Sequence, residues 1–135
     1  MLESALSVFV YGTLKPGGYY WPKFCEGKVS SVTPAKIRGT LYDLHLGYPG
    51  ARLEGEGWVQ GFILSFDNQF DFDRVDELEG FVSQRPKSQN EYNRLKVECF
   101  SSDGALLGQV WAYEVTEHVL QHCKGTQLVD GNWPV

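Results

Sequence analysis

The chain has 135 residues, 42% hydrophobic and 14% aromatic, with a formal charge of −5 at pH 7. That length fits one domain with an ordinary core, and that composition argues against disorder. An acidic balance with no basic run argues against nucleic acid or anionic membrane as partners, and no apolar run reaches the roughly 18 residues of a membrane span. Met1-Leu2-Glu3-Ser4 lacks a basic n-region, so no signal peptide is expected. Cys25, Cys99 and Cys123 are odd in number and lack metal-site spacing; they read as reduced thiols of a cytoplasmic protein.

Ser7 to Tyr11 is a short β-branched and aromatic run, the pattern of a buried strand. It stops at Gly12, and the loop Gly12-Thr13-Leu14-Lys15-Pro16-Gly17-Gly18 follows. Such a loop brings bare backbone N–H groups to a strand end, where they can bind a carboxylate or a developing oxyanion. Alternatively, Gly17-Gly18 simply turns the chain. Tyr19-Tyr20-Trp21-Pro22 is an aromatic cluster with a helix breaker, which either covers the core or lines a pocket. Tyr48 and Trp58 face the same choice. Ser30 to Arg38 reads as a mixed connection. Ile37 to Leu44 reads as a second strand whose Gly39 marks a bulge or a close backbone approach. Gly47 to Ala51 is a turn and Glu54-Gly55-Glu56-Gly57 a flexible acidic link. Trp58 to Phe66 is a long strand broken by Gly61.

Asp67 to Glu79 changes period. At 100° per residue, Phe72, Val75 and Glu79 fall within about 60° of one another, with Asp73 and Glu77 on the far side. Asp71 is the expected N-cap and Gly80 the C′ residue. Glu79 is then a carboxylate on an apolar face in the last helical turn. Partial burial and the negative end of the helix dipole both raise its pKa, towards the range useful to a general acid or base. A glutamate at a frayed helix end, reaching water or an arginine, is the alternative. Asp76 and Glu77 read as solvated or capping groups.

Phe81 to Tyr92 is a long polar loop, either a lid or a surface excursion. Asn93 to Phe100 alternates, with Leu95, Val97 and Cys99 on one face. Ser101-Ser102-Asp103-Gly104 is a hairpin turn, and Leu106 to Val115 is the returning strand. A short helix over Glu117 to Cys123 places His118 and His122 on one face. Without further ligands nearby they read as surface histidines, so no metal site is expected. Trp133 in the tail is expected to dock on the body. Strands with one clear helix between them make an α+β domain with a mixed or barrel-like sheet.

Three motifs join in order: Tyr11-Gly12-Thr13-Leu14 after the first strand, Asp76-Glu77-Leu78-Glu79-Gly80 ending a helix, and Tyr92-Asn93-Arg94 opening the next strand. This set resembles the gamma-glutamylcyclotransferase-like family, which includes plant avirulence-induced-gene-like proteins, gamma-glutamylamine cyclotransferases and small bacterial members. The resemblance runs from Val8 to the Asn132-Trp133 tail, so 1–135 is taken as a single domain. Thr13 stands where family members usually carry serine, and keeps the hydroxyl.

The resemblance implies a small mixed β-barrel with peripheral helices. It implies that Tyr11, Gly12, Thr13 and Leu14 hold a glutamyl group by backbone contacts and that Glu79 is the catalytic acid/base. Tyr92 and Arg94 would be structural or pocket-lining. Lys15 either attracts the substrate α-carboxylate or is an exposed, solvated lysine. The implied reaction cyclises a small-molecule γ-glutamyl compound to 5-oxoproline, without metal or cofactor, in a monomer or weak homodimer. The alternative is a non-catalytic small-ligand-binding module of the same fold.

Overall fold

The computed structural model describes residues 6–135; the reading of Met1 to Ser4 lies outside them. In chain order the elements are β1 (Ser7–Val10), α1 (Trp21–Phe24), β2 (Val29–Arg38), β3 (Thr40–Asp43), β4 (Pro49–Arg52), β5 (Trp58–Phe66) and α2 (Gln69–Leu78). A 3₁₀ turn at Lys87–Gln89 follows, then β6 (Tyr92–Phe100), β7 (Leu106–Val115), α3 (Glu117–Cys123) and β8 (Thr126–Gln127). Among the described residues, five strands close a barrel in the order β1-β5-β2-β6-β7. Five strands cannot alternate in direction all the way round. One seam must be parallel, and it is β1 against β7, with Val8 beside Trp111. A second sheet, β4-β3-β8, stands against the barrel. This is the small mixed barrel with peripheral helices that the motif set implied.

The unbroken apolar run of β1 has a physical reason: the strand is buried on both faces. Phe9 and Tyr11 belong to one core cluster, with Ile37, Val59, Ile63 and Val110 from other barrel strands. Val8 and Val10 point the other way, into a cluster with Phe72 and Val75 of α2. The predicted apolar face of α2 is therefore the one that packs on the barrel. At its far end Gly80 has φ +67, the left-handed conformation of a C′ glycine.

Several local expectations need correction. Ser30 to Arg38 is strand, not connection. It pairs with β5 from Val29↔Phe66 to Arg38↔Trp58 but joins β6 only at Lys36↔Phe100. Most of β2 is thus an edge, where Pro34 and a polar outer face are tolerated. The run Ile37 to Leu44 is divided between two sheets at Gly39, where an added Cβ would lie 2.6 Å from the Arg52 carbonyl oxygen. Pro49 to Ala51, read as turn, lies in β4, an edge strand beside β3. Gly61 does not break β5; a side chain there would collide with the Phe9 ring and the Val10 carbonyl. The N-cap of α2 is Asn68, whose side chain accepts from the Asp71 N–H at 2.9 Å, so Asp71 is the capped residue. Trp133 packs against the barrel core as expected.

Candidate active site

Where β1 runs out, the chain turns sharply: Lys15 N donates to Gly12 O at 3.1 Å and Tyr20 N to Thr13 O at 2.9 Å. The N–H groups of Gly12, Thr13 and Leu14 donate to no described protein acceptor. These three residues line a cavity of about 200 Å³ together with Tyr11, Tyr20, Tyr48, Pro49, Leu78, Glu79, Glu91, Tyr92 and Tyr113. Buried phenols brace its walls. Tyr11 donates to Tyr113 O at 2.6 Å and accepts from Ala51 N at 3.1 Å; Tyr92 donates to Pro49 O at 2.6 Å. Burial raises the pKa of both phenols well above the usual value, helped by the Glu79 charge at Tyr11 and by Tyr11 and then Glu79 at Tyr92.

Glu79 is the C-cap of α2, directly before Gly80. Its carboxyl accepts no hydrogen bond from any described residue. Desolvation, then the charges of Glu91 and Asp76, push its pKa up from 4.5 to about 8. The reading of a glutamate turned in towards the core therefore holds, with the second carboxylate an added cause. Glu91 was not singled out from sequence. It reaches the cavity because Glu91 N donates to Gly80 O at 3.3 Å, and its Oε2 accepts from Tyr48 at 2.6 Å. The only signal was its place just before Tyr92, and nothing local separates it from the polar residues around it. Tyr48 and Tyr20, left open between pocket and core, line the cavity; Tyr19 and Trp58 do not.

Two predicted site residues stand elsewhere. Lys15 is neither solvated nor in the cavity lining. It is 4% exposed, and its Nζ donates to Asn132 Oδ1 at 3.1 Å and to the Trp133 carbonyl. Burial lowers its pKa. Arg94 pairs with Asp76 at 2.9 Å and stacks 4.6 Å from the Trp111 ring centre. Asp76 in turn is not a solvated cap: it accepts from Arg94 and Tyr113, and burial raises its pKa despite both. Tyr92 lines the cavity and Arg94 stands behind it, clamping the helix turn that presents Glu79. His118 and His122 are exposed on α3.

The arrangement sets a titratable carboxyl with a near-neutral pKa beside free backbone donors. That suits proton transfer coupled to a developing oxyanion.

Comparison with known proteins agrees with this architecture. The chain is 29% identical over 132 residues to gamma-L-glutamyl-butirosin B gamma-glutamyl cyclotransferase of Niallia circulans, covering 90% of this chain and 82% of that protein. In fold it is similar to YkqA of Bacillus subtilis, with a TM-score of 0.66 and 18% identity over 94% of this chain and 39% of that one. It is also similar to c4763, a uropathogenic E. coli-specific protein, with a TM-score of 0.61 and 15% identity over 93% of this chain and 90% of that one. Residues 8–135 match the family described as gamma-glutamyl cyclotransferase, AIG2-like, and the chain belongs to that family.

Proposed function

We propose that this protein cyclises a γ-glutamyl group to 5-oxoproline and releases the amine that the group had acylated. The observation that carries the reading is Glu79, a carboxyl with pKa about 8 in one cavity with the free N–H groups of Gly12 to Leu14. The name of the Niallia circulans relative supports the same reaction class.

In this reading the substrate α-ammonium, with a pKa at or above about 8, gives one proton to ionised Glu79. The freed amine attacks its own side-chain carbonyl carbon, forming the ring C–N bond and placing negative charge on the oxygen. The N–H groups of Gly12 to Leu14 receive that charge; one well-placed donor is worth about 3–4 kcal/mol. Glu79 returns its proton to the leaving nitrogen as the old C–N bond breaks. It then takes the surplus proton from the ring nitrogen and passes it to solvent. The pKa values of Glu79 and the attacking amine are close, which keeps the first transfer near balance, and such a shuttle is typically worth about 10²–10⁴ in rate. Nucleophile and carbonyl share one molecule, so binding it curled supplies further advantage.

The test is incubation with a γ-glutamyl amino acid, ε-(γ-glutamyl)lysine and a simple γ-glutamylamine, with 5-oxoproline measured. The expected result is release by the wild type and loss of release in Glu79→Gln, which keeps the volume and removes the titrating proton. Wild-type rates in a folded Glu79→Gln protein would refute the role of Glu79. No release from any compound, with binding still detected by thermal shift, would point to a ligand-binding module instead.

A further inference from the structure

The segment from Phe81 to Asn90 closes on itself instead of closing over the cavity. None of its residues lines the cavity, and Val82 to Gln84 and Pro86 to Gln89 are exposed. Its two ends meet, where Glu91 N donates to Gly80 O at 3.3 Å. Asn90 is 1% exposed, and its side-chain amide is fully paired. Oδ1 accepts from Val82 N at 3.2 Å and from Arg85 Nε at 2.7 Å, while Nδ2 donates to Val82 O at 3.4 Å and to Asn93 Oδ1 at 2.8 Å. Its carbonyl accepts from the Thr116 hydroxyl at 2.9 Å. A buried amide satisfied in this way fixes the segment, because moving it would strand its partners.

Arg85 carries this order to the site. Asn90 holds its Nε, and its Nη2 donates to the Gly80 carbonyl at 2.9 Å. That carbonyl stands just past the end of α2. The helix finishes in a Schellman motif, with Gly80 N donating to Glu77 O at 3.2 Å and Phe81 N to Asp76 O at 3.0 Å. Those bonds satisfy helix carbonyls and leave the Gly80 carbonyl outside the helix, where it accepts from Arg85 and from Glu91. The backbone that carries Glu79 is therefore held from the helix side and from the loop side. The Glu79 carboxyl accepts no hydrogen bond from any described residue, so its direction rests on that backbone and on the cavity wall.

We propose that Arg85 is a positioning residue of the catalytic site: braced by Asn90, it holds the Glu79–Gly80 backbone so that the Glu79 carboxyl stays turned into the cavity. This rests on the cyclotransferase reading and adds to it a residue that touches no substrate. Catalytic groups tolerate little displacement, and a misplacement of about 1 Å can cost about 10²-fold in rate. The groups facing Glu79 are the carboxyls of Glu91 and Asp76 and the phenols of Tyr11, Tyr48, Tyr92 and Tyr113. A carboxyl freed from its place turns from these towards water, and its pKa falls towards the ordinary value.

Arg85→Met keeps the stem and removes both bonds, whereas Arg85→Lys keeps the charge without the planar fork that spans two acceptors. With 5-oxoproline release as the assay, Arg85→Met is expected to lower kcat about tenfold or more with KM within about threefold of wild type, and Arg85→Lys to recover only part of the loss. A second readout needs no turnover: the pH at which the Tm gap between a protein and its Glu79→Gln form levels off. With Arg85→Met it is expected to lie below the wild-type position near about 8. Loss of a cation alone would move it up, so a downward move reads the place of Glu79 and not the charge. A kcat within about threefold of wild type, a loss carried by KM instead, full recovery by lysine, or a levelling point unmoved or raised would each overturn the assignment. A wild type that releases no 5-oxoproline would overturn the cyclotransferase reading, and the levelling point would still decide whether Arg85 holds Glu79.

Discussion

Replacing Glu79 with glutamine is expected to stabilise the folded protein, by an amount that grows with pH. The carboxyl has a pKa of about 8 when folded against 4.5 as its ordinary value. Its folded pKa is raised, so the folded state holds the proton more tightly than the unfolded state. The stability linked to this proton is therefore fully present below about 4.5 and is lost as pH climbs to about 8. At about 1.4 kcal/mol per unit the full loss is roughly 4–5 kcal/mol. Glu79 keeps some solvent contact through the cavity, so about 2–4 kcal/mol is the realistic share. For a domain of this size that is on the order of 6–15 °C in Tm. The assay is thermal unfolding of wild type and Glu79→Gln across the range from about pH 5 to about pH 9. The gap between the two Tm curves should open with rising pH and level off above about 8. Parallel curves would refute the argument, because they would mean that Glu79 titrates alike in both states.

The same raised pKa predicts that kcat/KM for 5-oxoproline release rises with pH and levels above about 8, and that Glu91→Gln moves this limb to lower pH, since the Glu91 charge is one cause of the shift. With one substrate in both proteins, the shift is not a property of the substrate amine. Arg94→Met leaves Asp76 largely buried without its cation and should lower stability in urea unfolding by about 2–4 kcal/mol; adding Asp76→Asn should recover part of this. Gly80→Ala puts a side chain at φ +67, with its Cβ 3.1 Å from that of Glu91. It should cost about 1–2 kcal/mol in the same assay.

Much of the frame was legible because it is local. The β1 run, the apolar face of α2, the Ser101 to Gly104 turn and the span of α3 follow from periodicity and turn chemistry within a few residues. Glu79 was legible for the same reason: its position relative to Phe72 and Val75 sets its face, and Gly80 sets the helix end. The division of Ile37 to Leu44 between two sheets was not, because Gly39 marks a close approach without saying which backbone approaches. Nor was β2, whose polar outer face makes an edge strand look like a connection.

The charges of the site belong to the other class. Lys15 is buried by a tail more than a hundred residues later, through Asn132 and Trp133. Asp76 meets Arg94 and Tyr113 only once α2 lies across β6 and β7. Glu91 becomes a wall of the cavity because its backbone docks on Gly80 and Thr116 while Tyr48 arrives from the loop before β4. The sequence by itself determined β1, α2, the β6–β7 hairpin and α3, and that one carboxylate would face the core, since these depend on neighbours along the chain. The tertiary structure alone decided which charges share the cavity and which are neutralised outside it, because Coulomb energies and desolvation depend on distance through space.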